Sequence, residues 1–161
     1  MPFDDESFDV ATLLDVLEHL DDDRLALREL RRVVKRGGYL LVTVPAYPRL
    51  WSPHDVANEH RRRYRRRTLL SAARAAGWRP RRITFFNSIL LPPIAARRLW
   101  QRARVRDGET VVSDFEVTPP WLAGALELPM HAEARLIGWG GNLPAGLSLL
   151  GLFEADPPEA A

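Results

Sequence analysis

The apolar positions of this chain follow two alternating patterns. Phe8, Val10, Ala11, Leu13 and Leu14 make a short, nearly continuous apolar run, the pattern of a strand buried on both faces. In the charged segment that follows, Leu25, Leu27, Leu30, Val33 and Val34 recur at helical spacing. Asp21 or Asp22 is placed to cap this helix, which runs to about Val34, and Arg31, Arg32, Lys35 and Arg36 suit the dipole at its far end. Gly37-Gly38 predicts a left-handed stop. Residues 39–44 read as a second buried strand, closed by Pro45. Strand, helix, glycine and strand in this order imply a parallel crossover pair. In such sheets ligands bind beyond the carboxyl ends of the strands, which draws attention to Asp15-Val16-Leu17-Glu18-His19-Leu20.

Residues 46–68 sustain no period, and a connection that long in a compact domain is often functional. A short helix is predicted over 69–76, ended by Gly77, and a third strand over 81–86. Two helical stretches follow, 91–104 and 121–139, joined by a polar hinge at 106–114, and 147–153 reads as a last strand before a frayed tail at 156–161. The fold class is therefore α/β: parallel strands, then a helical insert, then a last strand. The units expected are a core over 1–86, a helical cap over 87–146, a final core strand over 147–155 and the tail. Phe85, Phe86, Ile89, Leu90, Leu91, Trp100, Trp121 and Trp139 serve equally as the insert's core or as a lid for an apolar ligand.

Composition narrows the picture little. The 161 residues, 46% apolar and 27% charged, are those of one globular domain. Without cysteine there is no disulfide, thiolate nucleophile or Cys-ligated zinc. The acidic opening is unlike a signal peptide, and no apolar stretch reaches the length of a membrane span, so the reading is cytoplasmic. The net charge of +2 is small, but arginine concentrates at 60–67 and 79–82. Arg61, Arg62, Arg63, Arg65, Arg66 and Arg67 with only Tyr64 among them lack the row of aromatics used by single-strand binders. A solvated basic face near a substrate entrance is expected, or a structural loop whose Arg and Tyr bond backbone carbonyls. No nucleic-acid partner is expected.

Asp15, Glu18 and His19 have ligand chemistry that suits a divalent metal. The other reading, that Glu18 and His19 only fix the turn, is the one adopted, and no metal ligand is assigned.

Four stretches resemble class I S-adenosylmethionine (SAM)-dependent methyltransferases, within the type-11 and ubiquinone/menaquinone-biosynthesis-like group. Pro2-Phe3-Asp4-Asp5-Glu6-Ser7-Phe8-Asp9-Val10 resembles that family's lead into its fourth strand, and Asp15-Val16-Leu17-Glu18-His19-Leu20 its "xVLEHL". Residues 29–40 resemble "ELxRVLKPGGxL", with Arg36 in place of the usual Pro, and residues 54–64 a "HDxxxxHxRRY" pattern of one subgroup. The resemblance implies the carboxyl-terminal half of a Rossmann-like methyltransferase sheet, three parallel strands plus an antiparallel last strand with the helical insert before it. It implies SAM as cofactor, lined by Leu13, Leu14 and Asp15, and a small-molecule methyl acceptor. It also implies a base or acceptor-binding role for His54, His60 and Tyr64, since the acceptor must shed a proton and His titrates near neutral pH. The neighbours His54 and Asp55 could form such a pair. Some relatives hold a metal with E-x-x-E-H.

The family's glycine-rich turn and its acid for the ribose hydroxyls have no counterpart in the 161 residues. Met1 is accordingly expected to be an internal methionine and the chain a truncated form. Alone, it is expected neither to bind SAM, beyond weak contacts near Leu14 and Asp15, nor to stay a monomer, because an unpaired strand edge lets it self-associate. Two other functions stay open: a non-catalytic remnant or partner module, and an RNA-binding or RNA-modifying protein.

Overall fold

A computed structural model describes residues 1–104 and 120–156. Its strands are β1 (Phe8–Leu14), β2 (Val34–Pro45), β3 (Trp78–Phe86) and β4 (Ser148–Ala155); its helices are α1 (Asp23–Val33), α2 (Pro53–Ala57), α3 (Arg66–Ala75), α4 (Leu91–Arg104) and α5 (Pro120–Gly138). The strands lie in the order β1-β2-β4-β3. β1 and β2 are parallel, and β4 runs antiparallel to both β2 and β3, so three strands share one direction and the last is inserted between the second and third. The polar hinge expected at 106–114 and most of the expected tail lie outside the described residues.

Helix α1 begins where the carboxylate of Asp22 accepts the amide of Leu25 (2.8 Å). It ends at Val34, already extended, whose amide donates to Leu30. The expected glycine stop is therefore not there: β2 starts directly at Val34, and Gly37 (φ 77°) lies inside it, where the register against β1 slips. The physical need is for close approach. A Cβ on Gly38 would stand 2.7 Å from the Asp9 carbonyl oxygen and 2.9 Å from that of Lys35, both backbone atoms that cannot swing away. Gly38→Ala is expected to lower stability by about 1–3 kcal/mol, measured as a fall in the urea midpoint with unchanged slope.

The core lies between the sheet and helices α1 and α3. Leu27, Leu40, Val42, Leu69, Trp78, Leu149 and Phe153 are fully buried there. The Trp78 indole N–H donates to the Leu27 carbonyl (2.9 Å), satisfying the one polar atom that burial would strand. β1 departs from the expectation of burial on both faces. Phe8, Val10 and Leu14 are 39%, 57% and 54% exposed, because among the described residues β1 is an end strand and pairs only with β2.

The connection at 46–68 is more ordered than its sequence pattern predicts. It carries a 3-10 turn at Pro48–Leu50 and helix α2, and α3 starts at Arg66, where the Thr68 hydroxyl accepts the Arg65 amide (2.9 Å) and donates to the Arg65 carbonyl (2.8 Å). Of the helical insert, α4 reaches the 3-10 turn through Arg98, whose guanidinium donates to Leu50 O (3.3 Å). α5 is tied down by Glu133, which accepts the Ser88 amide (2.9 Å), and by Arg82, which donates to Ile137 O (2.6 Å). Trp139 is 84% exposed, so it is part of no packed core among the described residues.

Candidate active site at the carboxyl edge of the sheet

Two connections meet at the carboxyl ends of β1 and β2. The first is set by Asp15, which follows β1 in a left-handed conformation (φ 52°). A non-glycine residue held there is strained, and it stays only because neighbours fix it. Here the Asp15 amide donates to both the carbonyl (3.1 Å) and the hydroxyl (3.0 Å) of Thr43 on β2. The chain then drops into the 3-10 turn Leu17–His19, burying Leu17 and Glu18. Leu14 and Asp15 are left exposed at the rim, and Leu13 is half-buried beside them.

The second connection is closed at its base, where the Tyr64 amide donates to Pro45 O (2.8 Å) and the Tyr47 amide to Tyr64 O (2.9 Å). Inside it, Ser52-Pro53-His54-Asp55 is a capping box. The Ser52 amide donates to Asp55 Oδ2 (2.8 Å), and proline occupies a position that needs no amide. This cap holds a fully buried carboxylate. Asp55 Oδ1 accepts the Arg63 Nε–H (2.6 Å) and the His60 Nδ1–H (2.9 Å). Burial pushes the Asp55 carboxyl up, but those bonds, the charge of Arg63 and the Ser52 amide outweigh it and hold the acid below its ordinary range. The carboxylate can only accept, so the proton of a neutral His60 sits on Nδ1 and the lone pair on Nε2.

The two connections are joined by the Arg61 amide, which donates to Glu18 O (2.8 Å), and by edge-to-face contact of the His19 and His60 rings at 4.8 Å. Glu18 is 1% exposed, and neither of its carboxylate oxygens has a hydrogen-bond partner among the described residues. Burial, reinforced by the charge of Asp15 and only partly offset by the Glu18 backbone amide and the charge of Arg63, pushes its acid up to about 7.

The site residues expected from sequence thus separate. His60 stands in the cluster with Glu18 and His19. His54 does not form the expected pair with its neighbour Asp55, which bonds His60 instead; His54 Nε2 lies 3.0 Å from the side-chain amide nitrogen of Asn58, the residue that ends its helix. Tyr64 is buried, and its hydroxyl donates to Asp23 Oδ2 (2.7 Å). Burial first, then that bond, pushes its proton loss far above the ordinary phenol range, so it ties the loop to α1 in its protonated form. The basic run is divided too. Arg62 donates to Leu20 O (3.1 Å) and Asp21 O (2.7 Å), and Arg63 to Ala46 O (3.0 Å), so these are the carbonyl-binding residues of a structural loop. Arg65, Arg66 and Arg67 remain exposed. Sequence reasoning missed the Asp55–Arg63 pair, although the capping box that positions it was readable in Ser52-Pro53-His54-Asp55.

A sheet with three like-directed strands and an antiparallel last strand slotted between two of them, and its candidate site at their carboxyl edge, has the class I SAM-dependent methyltransferase fold. Residues 1–42 match the family model described as a methyltransferase domain. The demethylmenaquinone methyltransferase of Streptomyces griseus is 36% identical over 80 residues, which are 50% of this chain and 33% of that protein. An uncharacterized methyltransferase of Schizosaccharomyces pombe is 40% identical over 62 residues, 35% of this chain and 22% of its own length. Among solved structures, the Haloferax volcanii complex of the Trm112 methyltransferase activator with a methyltransferase superposes with a TM-score of 0.54 at 16% identity, covering 100% of this chain and 59% of that one. Phosphoethanolamine N-methyltransferase 2 of Haemonchus contortus, in complex with SAM, gives 0.52 at 15%, covering 96% and 34%. The [4+2]-cyclase SpnF gives 0.54 at 19%, covering 98% and 54%. By these matches the chain has the fold of the class I SAM-dependent methyltransferases, and residues 1–42 are similar to their methyltransferase domain. It spans about a third of the first curated relative's length.

Among the described residues no helix is long and apolar enough to cross a membrane.

Proposed function

We propose that this chain forms the acceptor side and one wall of the cofactor site of an enzyme that transfers a methyl group from SAM to a small molecule. The observation that carries the reading is at the end of β1: a half-exposed Leu14 beside an Asp15 held in the left-handed region. An apolar side chain and a carboxylate presented together at a strand's carboxyl edge fit a ligand with an apolar body and a cationic group. Bound SAM would supply an electrophilic methyl group. Leu13, Leu14 and Asp15 would line it.

The other residues would serve the acceptor. His60, with its tautomer set by Asp55, directs the Nε2 lone pair toward the acceptor's exchangeable proton or the atom that carries it. Tyr64 is a positioning residue that holds the loop through Asp23, and His54 serves the acceptor from helix α2. The protein is proposed to work in the cytoplasm. Fold alone does not assign this activity, since a cyclase shares the fold.

A second reading, a partner module without catalysis, draws support from one observation: the exposed apolar residues Phe8, Val10 and Leu14 on the end strand. Self-association through that edge belongs to the same reading.

Amide hydrogen exchange on the chain, with and without millimolar SAM, separates the two. Methyl transfer predicts protection concentrated at residues 13–20, with affinity weaker than micromolar, reduced by Asp15→Ala. Absence of protection there at saturating SAM, together with elution that shifts to larger species as concentration rises, would favour the partner module.

A further inference from the structure

We propose that Glu18, His19 and His60 form a binding site for one divalent cation of the zinc type, with Asp55 as the outer carboxylate that orients His60. The inference gives the His60 Nε2 lone pair to the ion in place of the proton-accepting role above, and it does not depend on methyl transfer, because the ion is read out by binding.

The three donors come from two connections that the sheet brings together, and their ligand atoms all lie within 4.8 Å of one another. Ligands that share an ion at about 2.0–2.2 Å stand roughly 3–4 Å apart. Small side-chain rotations therefore close the site, with no change in the backbone. The Arg61 amide on the Glu18 carbonyl already fixes the spacing of the two connections.

Glu18 points to a cation independently of that spacing. A carboxylate that is 1% exposed, with both oxygens unpartnered among the described residues, is unfavourable unless a positive charge or a proton meets it. Arg63 does not meet it by hydrogen bond: its Nε–H goes to Asp55 and another N–H to the Ala46 carbonyl. The imidazole side is prepared as well. Metal-binding histidines characteristically donate their second ring N–H to a carboxylate, which fixes the tautomer and raises ligand basicity. His60 does so to Asp55 at 2.9 Å, and Asp55 is in turn locked by Arg63 and Ser52.

Two imidazoles and one carboxylate select a borderline ion such as Zn²⁺ or Co²⁺ over Mg²⁺ or Ca²⁺, which prefer all-oxygen sites. Three protein ligands leave at least one coordination position for water or an oxygen or nitrogen of the acceptor. The set differs from the Asp15, Glu18, His19 constellation visible in sequence: His60, distant along the chain, takes the place of Asp15.

The test is titration of the chelator-stripped 161-residue chain with Zn²⁺ by calorimetry and with Co²⁺ by visible absorption. One ion per chain is expected, with ligand-field bands for Co²⁺ and no uptake of Mg²⁺ at equal concentration. Glu18→Gln, which keeps the shape of the side chain, and His60→Ala should each weaken binding by at least tenfold, while His131→Ala leaves it unchanged. Circular dichroism confirms that each variant is folded; should Glu18→Gln unfold, His19→Ala replaces it. Absence of stoichiometric binding, or equal binding by the folded Glu18, His19 and His60 variants, would overturn the site. Binding without any SAM-dependent protection would retain the site and remove the methyl-transfer reading.

Discussion

Asp55→Ala is expected to destabilise the chain by about 3–5 kcal/mol, a large share of an ordinary protein's stability of about 5–15 kcal/mol. The reason is less the lost attraction than what remains behind. Arg63 is buried with its Nε–H directed at the missing carboxylate, the Nδ1–H of His60 loses its acceptor, and α2 loses half of its capping box. An uncompensated buried charge is costly in a way that an apolar replacement of the whole pair is not. The double variant Asp55→Ala/Arg63→Met should therefore recover part of the loss. Chemical denaturation of the wild type, both single variants and the double variant decides the matter; additive losses would show that the pair is not coupled. The pH signature has a definite sign. The Asp55 acid is held below its ordinary range, so its contribution is present above that range and is lost as pH falls through the folded value.

Glu18→Gln is expected to do the opposite in chelator-treated protein: it should stabilise the chain at pH 8. The acid is raised from 4.5 to about 7 by burial, with Asp15 adding to it. A group whose folded value is raised is favourable in the fold while it keeps its proton, below about 4.5, and that contribution is lost as pH rises to about 7. The difference is on the order of 3 kcal/mol at alkaline pH, and the glutamine, which carries no proton to lose, avoids it. Thermal melts of both proteins across pH 4 to 8 should diverge as pH rises. Parallel curves would mean that the Glu18 carboxylate finds solvent or a cation of the protein when it ionises. Wild type and variant thus report on the same buried carboxylate that the metal titration probes, by an observable that needs no metal.

Much of the fold was legible because it rests on local chemistry. The cap at Asp22, the helical spacing from Leu25 to Val33 and the β2 apolar run are each decided by a few neighbouring residues, and the structure has them within a few positions. The boundary at Gly37 was misplaced for a physical reason. Glycine permits a left-handed backbone both at a helix end and at a strand irregularity, and only the partner strand tells them apart. The 60–67 arginines show the same limit. Composition cannot distinguish Arg65, Arg66 and Arg67, which face solvent, from Arg63, which is buried on a carboxylate.

For the site, the sequence alone determined which residue types gather at the carboxyl ends of β1 and β2: acids and a histidine in the first connection, histidines, acids and arginines in the second. It did so because the βα order dictates which loops meet at that edge. Only the tertiary structure decided the pairings. Asp55 bonds His60 and Arg63 and not its neighbour His54, because the capping box turns its carboxylate toward the returning segment that carries both. Glu18 stands beside His60, 42 residues later, because the left-handed Asp15 tips the turn into the interior just where the Arg61 amide can reach it. Those are long-range contacts between segments whose own patterns do not refer to one another, so they come into being only when the sheet does.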